Sequence, residues 1–299
     1  MTKTTVLLSI GFVLLWNSGF VGAEYGLVYS GPFALLFWRY LALTCVILVY
    51  LIATRRIRWV GWRAAAPNML VGILAHGVWL ACVLLALNRG VPAGVVALVV
   101  ALQPLATGAF SGLMANEPTP PFRWLGLVIG FVGVAVVVVS RMDFQSYHSV
   151  FGYLIPLGSV VAITAASLIQ RRMEVAKAPT KLPVDLALFY QSLATTAALV
   201  LPAVLLEDLA AQWEAEFIYT MIWLILAVSL GAYALMWLLI ERIDATRVAS
   251  LFYLGPPVTM IMAWIAFGDG LILADVVGLL VVLIGVVFAS LPVRRAAQA

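Results

Sequence analysis

Long apolar runs, broken by short polar segments, cover almost the whole of this chain. Each run has about the 20 residues that a helix needs to cross the roughly 30 Å hydrocarbon layer of a membrane. The pattern predicts one membrane domain of ten transmembrane helices joined by short loops. The predicted helices cover residues 4–23, 32–54, 65–88, 93–114, 122–140, 149–172, 183–206, 217–240, 246–267 and 272–291.

The composition excludes a water-soluble protein. Of the 299 residues, 65% are hydrophobic and only 10% are charged, and the mean hydropathy is +1.11. Soluble domains are about half apolar and about a quarter charged. The net charge of +4 does not indicate nucleic-acid binding, because the basic residues lie in short clusters between apolar runs. The expected partners are therefore membrane lipid and a small solute, and not nucleic acid.

The distribution of Lys and Arg predicts the orientation in the membrane. Basic residues collect in loops on the cytoplasmic side of membrane proteins. Only Arg89 and Arg141 lie in one set of alternate loops, and Arg39 lies inside the second helix. We therefore expect both termini in the cytoplasm of a bacterium, with the helices in its inner membrane. The other set of loops and termini holds Lys3, Arg55, Arg56, Arg58, Arg63, Arg123, Arg171, Arg172, Lys177, Lys181, Arg242, Arg247, Arg294 and Arg295.

The two halves of the chain resemble each other. A shift of 152 residues aligns predicted helices 3–5 with helices 8–10 without a gap. Each half has five helices, an odd number, so the second half enters the membrane inverted relative to the first. We predict two inverted five-helix repeats, residues 1–148 and 149–299, around a central cavity, an architecture typical of carriers. The aligned residues include Ala75 with Ala227, Ala97 with Ala249, Pro104 with Pro256, Glu117 with Asp269, Gly126 with Gly278 and Gly133 with Gly285.

These paired prolines, acidic residues and glycines resemble the pattern of the drug/metabolite transporter superfamily, in its ten-helix EamA-type branch. The resemblance extends over essentially the whole chain and implies a membrane transporter, but it does not specify the substrate. Asp269 replaces the Glu that is more usual at its position. Within the branch, the chain looks most similar to the bacterial aromatic amino acid exporters of the YddG type.

Polar and aromatic residues inside the spans indicate where a solute could pass, because polar groups in hydrocarbon are costly unless they face a cavity or another helix. Prolines inside helices free backbone carbonyls and are expected to supply kinks or gates; these are Pro104, Pro156, Pro256 and Pro257. The predicted substrate-binding residues are Trp16, Asn17, Arg39, His76, Trp79, Gln103, Ser159, Thr164, Tyr233, Trp237 and Tyr253.

Several of these residues have a second interpretation. Arg39 could hold a substrate carboxylate, or it could reach a helix end and pack against a loop. His76 could face the cavity or make a hydrogen bond between helices. The tryptophans could line the passage or contact lipid and core. For Glu117 and Asp269, a role in capping helix ends and fixing loops is favoured over contact with substrate.

The expected function is export of amino acids, aromatic and other neutral ones, by alternating access. Aromatic walls suit an apolar side chain. Arg39 or a helix terminus could face the carboxylate of the amino acid, and Gln103, Asn17 or an aromatic face could receive its ammonium group. The same walls would suit an organic cation, so multidrug export is the alternative. An intramembrane enzyme or a channel has little support, because the chain has no HExxH, no Gly-x-Ser-x-Gly and no ring of charges. No cofactor or metal is expected, and a monomer is expected, with an oligomer left open.

Energy coupling is a further expectation from the sequence. No Asp or Glu lies in the central third of any predicted span. Proton-coupled carriers commonly use such a carboxylate. We therefore expect transport down the gradient of the solute itself, with His76 as the one candidate for a buried proton carrier.

Overall fold

A computed structural model places most of the chain. Within this part, every regular element is helical, and the one strand-like feature is an isolated bridge between Ser30 and Ala211. The described residues are 3–115, 121–141, 147–175, 182–240, 242 and 251–289.

These ranges contain ten helices. The first five are α1 (Lys3–Leu27), α2 (Pro32–Ala53), α3 (Trp62–Asn88), α4 (Ala93–Val100 continued by Leu102–Ala115) and α5 (Pro121–Arg141). The second five are α6 (Tyr147–Val175), α7 (Val184–Glu207), α8 (Ala215–Ile222, Trp223–Ala232 and Tyr233–Ile240), α9 (Phe252–Phe267) and α10 (Leu273–Ala289).

The predicted number and order of helices are confirmed. Eight helices are long and apolar enough to cross a membrane, and α9 and α10 are shorter apolar helices. The observed bounds differ from the predicted ones by a few residues, except in the ninth helix. Part of that prediction, residues 246–250, lies outside the described residues.

Contacts at the helix ends show the direction of each helix. The bridge between Ser30 and Ala211 joins the start of α2 to the end of α7. Arg141, which ends α5, forms an ion pair with Asp275 in the first turn of α10. We call this side of the molecule the Ser30 face.

The opposite side, which we call the Arg56 face, holds the other ends of the same helices. Arg56 follows α2 and forms a 2.8 Å ion pair with Asp185 at the start of α7. Nearby, the Tyr190 hydroxyl donates a hydrogen bond to the backbone carbonyl of Arg58 at 3.0 Å. Since α2 ends where α7 begins and α5 ends where α10 begins, corresponding helices of the two halves run in opposite directions.

The helix contacts follow the same relationship. α1 packs against α8 and α9, and α6 packs against the corresponding α3 and α4. The pairs α2–α7, α4–α9 and α5–α10 each join a helix to its own counterpart. The halves are therefore inverted and interlocked, and no half has a separate core. The exact repeat boundaries at residues 148 and 149 remain a prediction.

The glycines of the repeated pattern bring α5 and α10 into backbone contact. A methyl group added at Gly285 would lie 2.6 Å from the Gly126 carbonyl oxygen and 2.8 Å from the Gly130 nitrogen. A methyl group at Gly278 would lie 2.6 Å from the carbonyl oxygen of Gly133. Small residues at such positions let membrane helices approach closely. The pair α5–α10 thus packs on the outside of the bundle, away from the centre.

The repeated prolines lie where helices are interrupted. In α4, the break at Ala101 is followed by Pro104 in the first turn of the next segment. In α9, the short 3₁₀ segment Phe252–Leu254 precedes Pro256 and Pro257, which occupy the first turn after it. Pro156 lies inside α6. A gating role for these positions remains a prediction.

Substitution Gly285→Ala should lower the stability of the folded protein. The added methyl group meets backbone atoms that cannot move independently, and overpacking of this kind costs about 1–3 kcal/mol. The matched control is Gly108→Ala on α4, where an added methyl group meets nothing within 4 Å. Thermal unfolding of purified protein in detergent should show a melting temperature several degrees lower for Gly285→Ala alone. Equal melting temperatures for the two variants would contradict the close α5–α10 contact.

Candidate functional site

A cavity lies at the centre of the bundle, between α1, α2, α3 and α8. The volume of this cavity is about 50 Å³. That space holds a few water molecules, so a larger solute requires the walls to separate. Its lining residues are Trp16, Gly19, Phe20, Ala23, Arg39, Tyr40, His76, Trp79, Leu80, Val83, Leu84, Val228, Ser229 and Tyr233.

Arg39 is the charged group of this cavity. Its side chain is buried, with 5% of the residue exposed. Its guanidinium donates two hydrogen bonds to the Ser229 hydroxyl, at 2.9 Å and 3.3 Å, and Ser229 donates in turn to the backbone carbonyl of Leu224 at 2.9 Å. Arg39 thus joins α2 to α8 across the cavity.

No carboxylate neutralises this guanidinium within the described part of the chain. The ion pairs found there join Arg56 to Asp185 and Arg141 to Asp275. A guanidinium has five N–H donors, and among the described residues the Ser229 hydroxyl is the one acceptor found for Arg39. Burying a charge without a partner is costly. The other N–H groups of Arg39 can therefore donate to water or to a bound molecule.

The start of α2 sets the depth of Arg39. Pro32 occupies the first turn of the helix, where its missing N–H costs nothing. The Glu207 carboxylate at the end of α7 accepts a 2.7 Å hydrogen bond from the backbone N–H of Ala34. Gly31 leaves room for this carboxylate, since a methyl group there would lie 2.3 Å from its carbon. Arg39 follows two turns further into the bundle.

His76 reaches a neighbouring helix as well as the cavity. Its Nε2 atom lies 3.2 Å from the side-chain oxygen of Gln191 on α7. Gly72, one turn before His76, makes this possible, because a methyl group there would lie 2.4 Å from the backbone oxygen of Gln191. His76 therefore fits both of its predicted interpretations.

Aromatic rings form much of the remaining wall. The rings of Trp16 and Tyr233 lie 5.4 Å apart, and the His76 ring lies 5.6 Å from Tyr40 and 6.3 Å from Tyr233. The indole N–H of Trp79 is buried and has no hydrogen-bond partner among the described residues. The cavity thus combines aromatic surface with N–H donors that have few acceptors.

Two π-helical segments approach the cavity from opposite halves. Ile73–Val78 in α3 contains His76, and Trp223–Ala232 in α8 contains Val228 and Ser229. Under the 152-residue shift, the first segment corresponds to residues 225–230, which lie inside the second. Short π segments are often found at functional sites, since they break the regular helical bonding. Both halves therefore have the same local irregularity at the cavity.

Five of the predicted binding residues line this cavity together: Trp16, Arg39, His76, Trp79 and Tyr233. The others are not among its lining residues, and the structure places most of them between packed helices.

Two of these residues join corresponding helix pairs. Asn17 donates to the Val13 carbonyl at 2.7 Å and accepts from the Thr259 hydroxyl at 3.1 Å, which links α1 to α9. The Gln103 amide donates to the Ser167 hydroxyl at 3.4 Å, which links α4 to α6. Both amide side chains therefore form hydrogen bonds between packed helices.

The remaining predicted residues differ in their surroundings. Ser159 is fully buried and donates to the carbonyl of Pro156 at 2.5 Å. The Thr164 hydroxyl is buried, with no partner found in the described ranges. Tyr253 packs partly buried against the core. For Trp237, the structure describes the backbone in α8 but not the side chain.

Sequence reasoning missed three residues of the site. Tyr40 follows Arg39 and lines the cavity, Ser229 holds the guanidinium, and Gln191 meets His76. Tyr40 and Ser229 are common residue types in apolar helices. Gln191 was the strongest available signal, since an amide inside a predicted span is unusual.

The repeated acidic residues lie elsewhere. Glu117 lies outside the described residues. Asp269 lies on the Ser30 face between α9 and α10, where burial raises the pKa of its carboxyl and the nearby Arg141 lowers it. The residue that fixes this loop is Asp275, whose carboxylate binds Arg141 and accepts a 2.9 Å hydrogen bond from the Ile272 N–H. The expected loop-fixing role is thus filled by a neighbour of Asp269.

Relatives in other organisms resemble the chain over different lengths. The uncharacterized transporter YvbV of Bacillus subtilis is 27% identical over 283 residues, which cover 94% of this chain and 89% of YvbV. The uncharacterized inner membrane transporter YedA of Escherichia coli K12 is 29% identical over 124 residues, 42% of this chain and 40% of YedA.

The fold itself is known from crystallography. One crystal structure superposes on 97% of this chain and 97% of its own with a TM-score of 0.64, at 19% sequence identity. The model of the EamA-like transporter family matches residues 3–139 and, a second time, residues 150–291. The two matches correspond to the two five-helix halves, and the chain belongs to the EamA-like transporter family.

Proposed function

We propose that this transporter exports small solutes that combine a carboxylate with an apolar body, with neutral and aromatic amino acids as the first candidates. The observation that carries the proposal is the buried guanidinium of Arg39, which has no carboxylate partner among the described residues. A solute carboxylate can accept two parallel hydrogen bonds from a guanidinium, the strongest neutral-pH pairing for this group. The solute would then supply the partner that the chain itself lacks.

The walls of the cavity suit the rest of such a solute. Trp16, Tyr40, Trp79 and Tyr233 present aromatic surface, and the leucines and valines add aliphatic surface. Aromatic and apolar side chains bind well against such walls. This agrees with the resemblance to aromatic amino acid exporters. The relatives YvbV and YedA are uncharacterized transporters, so they do not narrow the class of solute.

Transport by alternating access is supported by the form of the bundle. The cavity has little open space, so solute must enter and leave by movement of its walls. The paired π segments of α3 and α8 and the paired breaks of α4 and α9 provide equivalent flexible points in inverted halves. Separation of α3 or α8 from α1 would open the cavity towards one side.

Export of organic cations is the weaker candidate. A cation in this cavity would lie near the buried Arg39, and no Asp or Glu is among the residues that line it. The family and the names of the relatives indicate a transporter and not an enzyme. The bacterial inner membrane, with both termini in the cytoplasm, is the location proposed from the distribution of basic residues.

Arg39→Gln should abolish most of the transport. The measurement is counterflow into liposomes that contain the purified variant, with a panel of neutral and aromatic amino acids. The transport rate should fall at least tenfold, because the solute carboxylate loses a charged, bidentate partner. Arg56→Gln is the matched control, since Arg56 pairs with Asp185 on the Arg56 face, away from the cavity. Full counterflow by Arg39→Gln, in protein that melts at the wild-type temperature, would remove the basis of the proposal.

Transport should not need a proton gradient. Among the described residues, no carboxylate lines the cavity, and His76, which does line it, lies 3.2 Å from the side-chain oxygen of Gln191. Counterflow in liposomes should therefore proceed at equal internal and external pH, and an imposed pH gradient should not concentrate the solute. Uptake that requires the gradient, and that persists in His76→Gln, would show a proton pathway through other residues.

A further inference from the structure

Two polar groups that line the cavity are hydrogen-bond donors only. Arg39 has five N–H donors and one hydroxyl acceptor, and the Trp79 indole N–H has no acceptor within the described ranges. These are the groups that a bound solute would have to satisfy. Both require acceptor atoms from the solute, and neither can accept a hydrogen bond.

The acceptors near the cavity are already used or uncharged. The Ser229 hydroxyl accepts from Arg39 and donates to a backbone carbonyl, and the Gln191 oxygen lies 3.2 Å from His76. The hydroxyls of Tyr40 and Tyr233 are uncharged. An ammonium group has three N–H donors, and the lining residues offer it only uncharged acceptors, namely the tyrosine hydroxyls and the second ring nitrogen of His76.

Aromatic faces do not compensate for this shortage. Rings can hold a cation over their face, but the Arg39 guanidinium carbon already lies 5.9 Å from the centre of the Tyr40 ring. The Tyr233 ring packs against Trp16 and His76. A solute ammonium at these rings would also be repelled by the buried charge of Arg39, in a space where little water screens it.

We infer that the cavity selects its solute by net charge, and that an apolar monocarboxylate binds more tightly than an amino acid with the same body. In this arrangement both carboxylate oxygens pair with Arg39, and one of them also accepts a hydrogen bond from the Trp79 indole N–H. Trp79 is then a specificity-determining residue. The inference rests on the proposed function and narrows its substrate class, with amino acids as weaker members.

Three probes with one body test this directly: 3-phenylpropionate, phenylalanine and phenethylamine. At pH 7.5 they are an anion, a zwitterion and a cation. Their dissociation constants for purified protein in detergent can be measured by calorimetry. We expect 3-phenylpropionate to bind at least tenfold more tightly than phenylalanine, and phenethylamine not to bind. In Arg39→Gln the ratio of the first two constants should fall to near one.

Trp79→Phe tests the second half of the inference, because it keeps an aromatic ring and removes the N–H. It should weaken binding of 3-phenylpropionate roughly tenfold, the scale of one hydrogen bond to a charged acceptor. Trp223→Phe is the matched control, since its N–H donates to the Ser18 hydroxyl at 3.0 Å and it does not line the cavity. Equal affinities in the two variants, at equal melting temperatures, would exclude a specific role for Trp79.

The outcomes separate this inference from the proposed function. If phenylalanine binds as tightly as 3-phenylpropionate or more tightly, selection by net charge is wrong, and carboxylate recognition by Arg39 stands. If phenethylamine binds and neither carboxylate does, both are wrong and cation export takes their place. If none of the three binds, the inference is wrong, and the amino acid counterflow panel alone decides the proposed function.

Discussion

The structure depends on one electrostatic constraint, the burial of a guanidinium inside a membrane domain. Arg39 cannot lose its charge at any physiological pH, so it needs a partner of opposite charge or strong acceptors. The described chain supplies a serine hydroxyl. Aromatic rings and the two π-helical segments of α3 and α8 lie around this charge. An incompletely paired cation at this depth is costly to folding, and the carboxylate solute that we propose would pair with it.

The halves share their architecture but not their chemistry. Corresponding helices pack in the same pairs, and the two π segments lie at equivalent places. At the cavity, however, the first half contributes His76 and Trp79, whereas the second half has Val228 and Gly231 at the positions that the 152-residue shift aligns with them. The inverted frame is thus shared by the two halves, while the side chains that they bring to the cavity differ.

Much of this could be predicted from the sequence, for reasons that differ between residues. The helices follow from the length of the apolar runs. The glycines in register indicated the repeat, and the structure shows that they also lie at the α5–α10 contact. Arg39, His76 and Trp79 are conspicuous because a polar or bulky aromatic side chain inside an apolar span has to face a cavity or another helix. The π segments were not predictable, because the hydrophobic pattern does not report a change of one residue in backbone register. Asn17 could not be separated from the site, since an amide that links two helices has the same sequence signature as one that binds a solute.

The most direct test is a crystal structure with a 3-phenylpropionate that carries bromine on its ring. The account predicts an anomalous bromine peak among the aromatic walls, with the carboxylate about 3 Å from the Arg39 guanidinium. Arg39 paired instead with a carboxylate of the chain itself, and bromine bound only outside the central cavity, would contradict it.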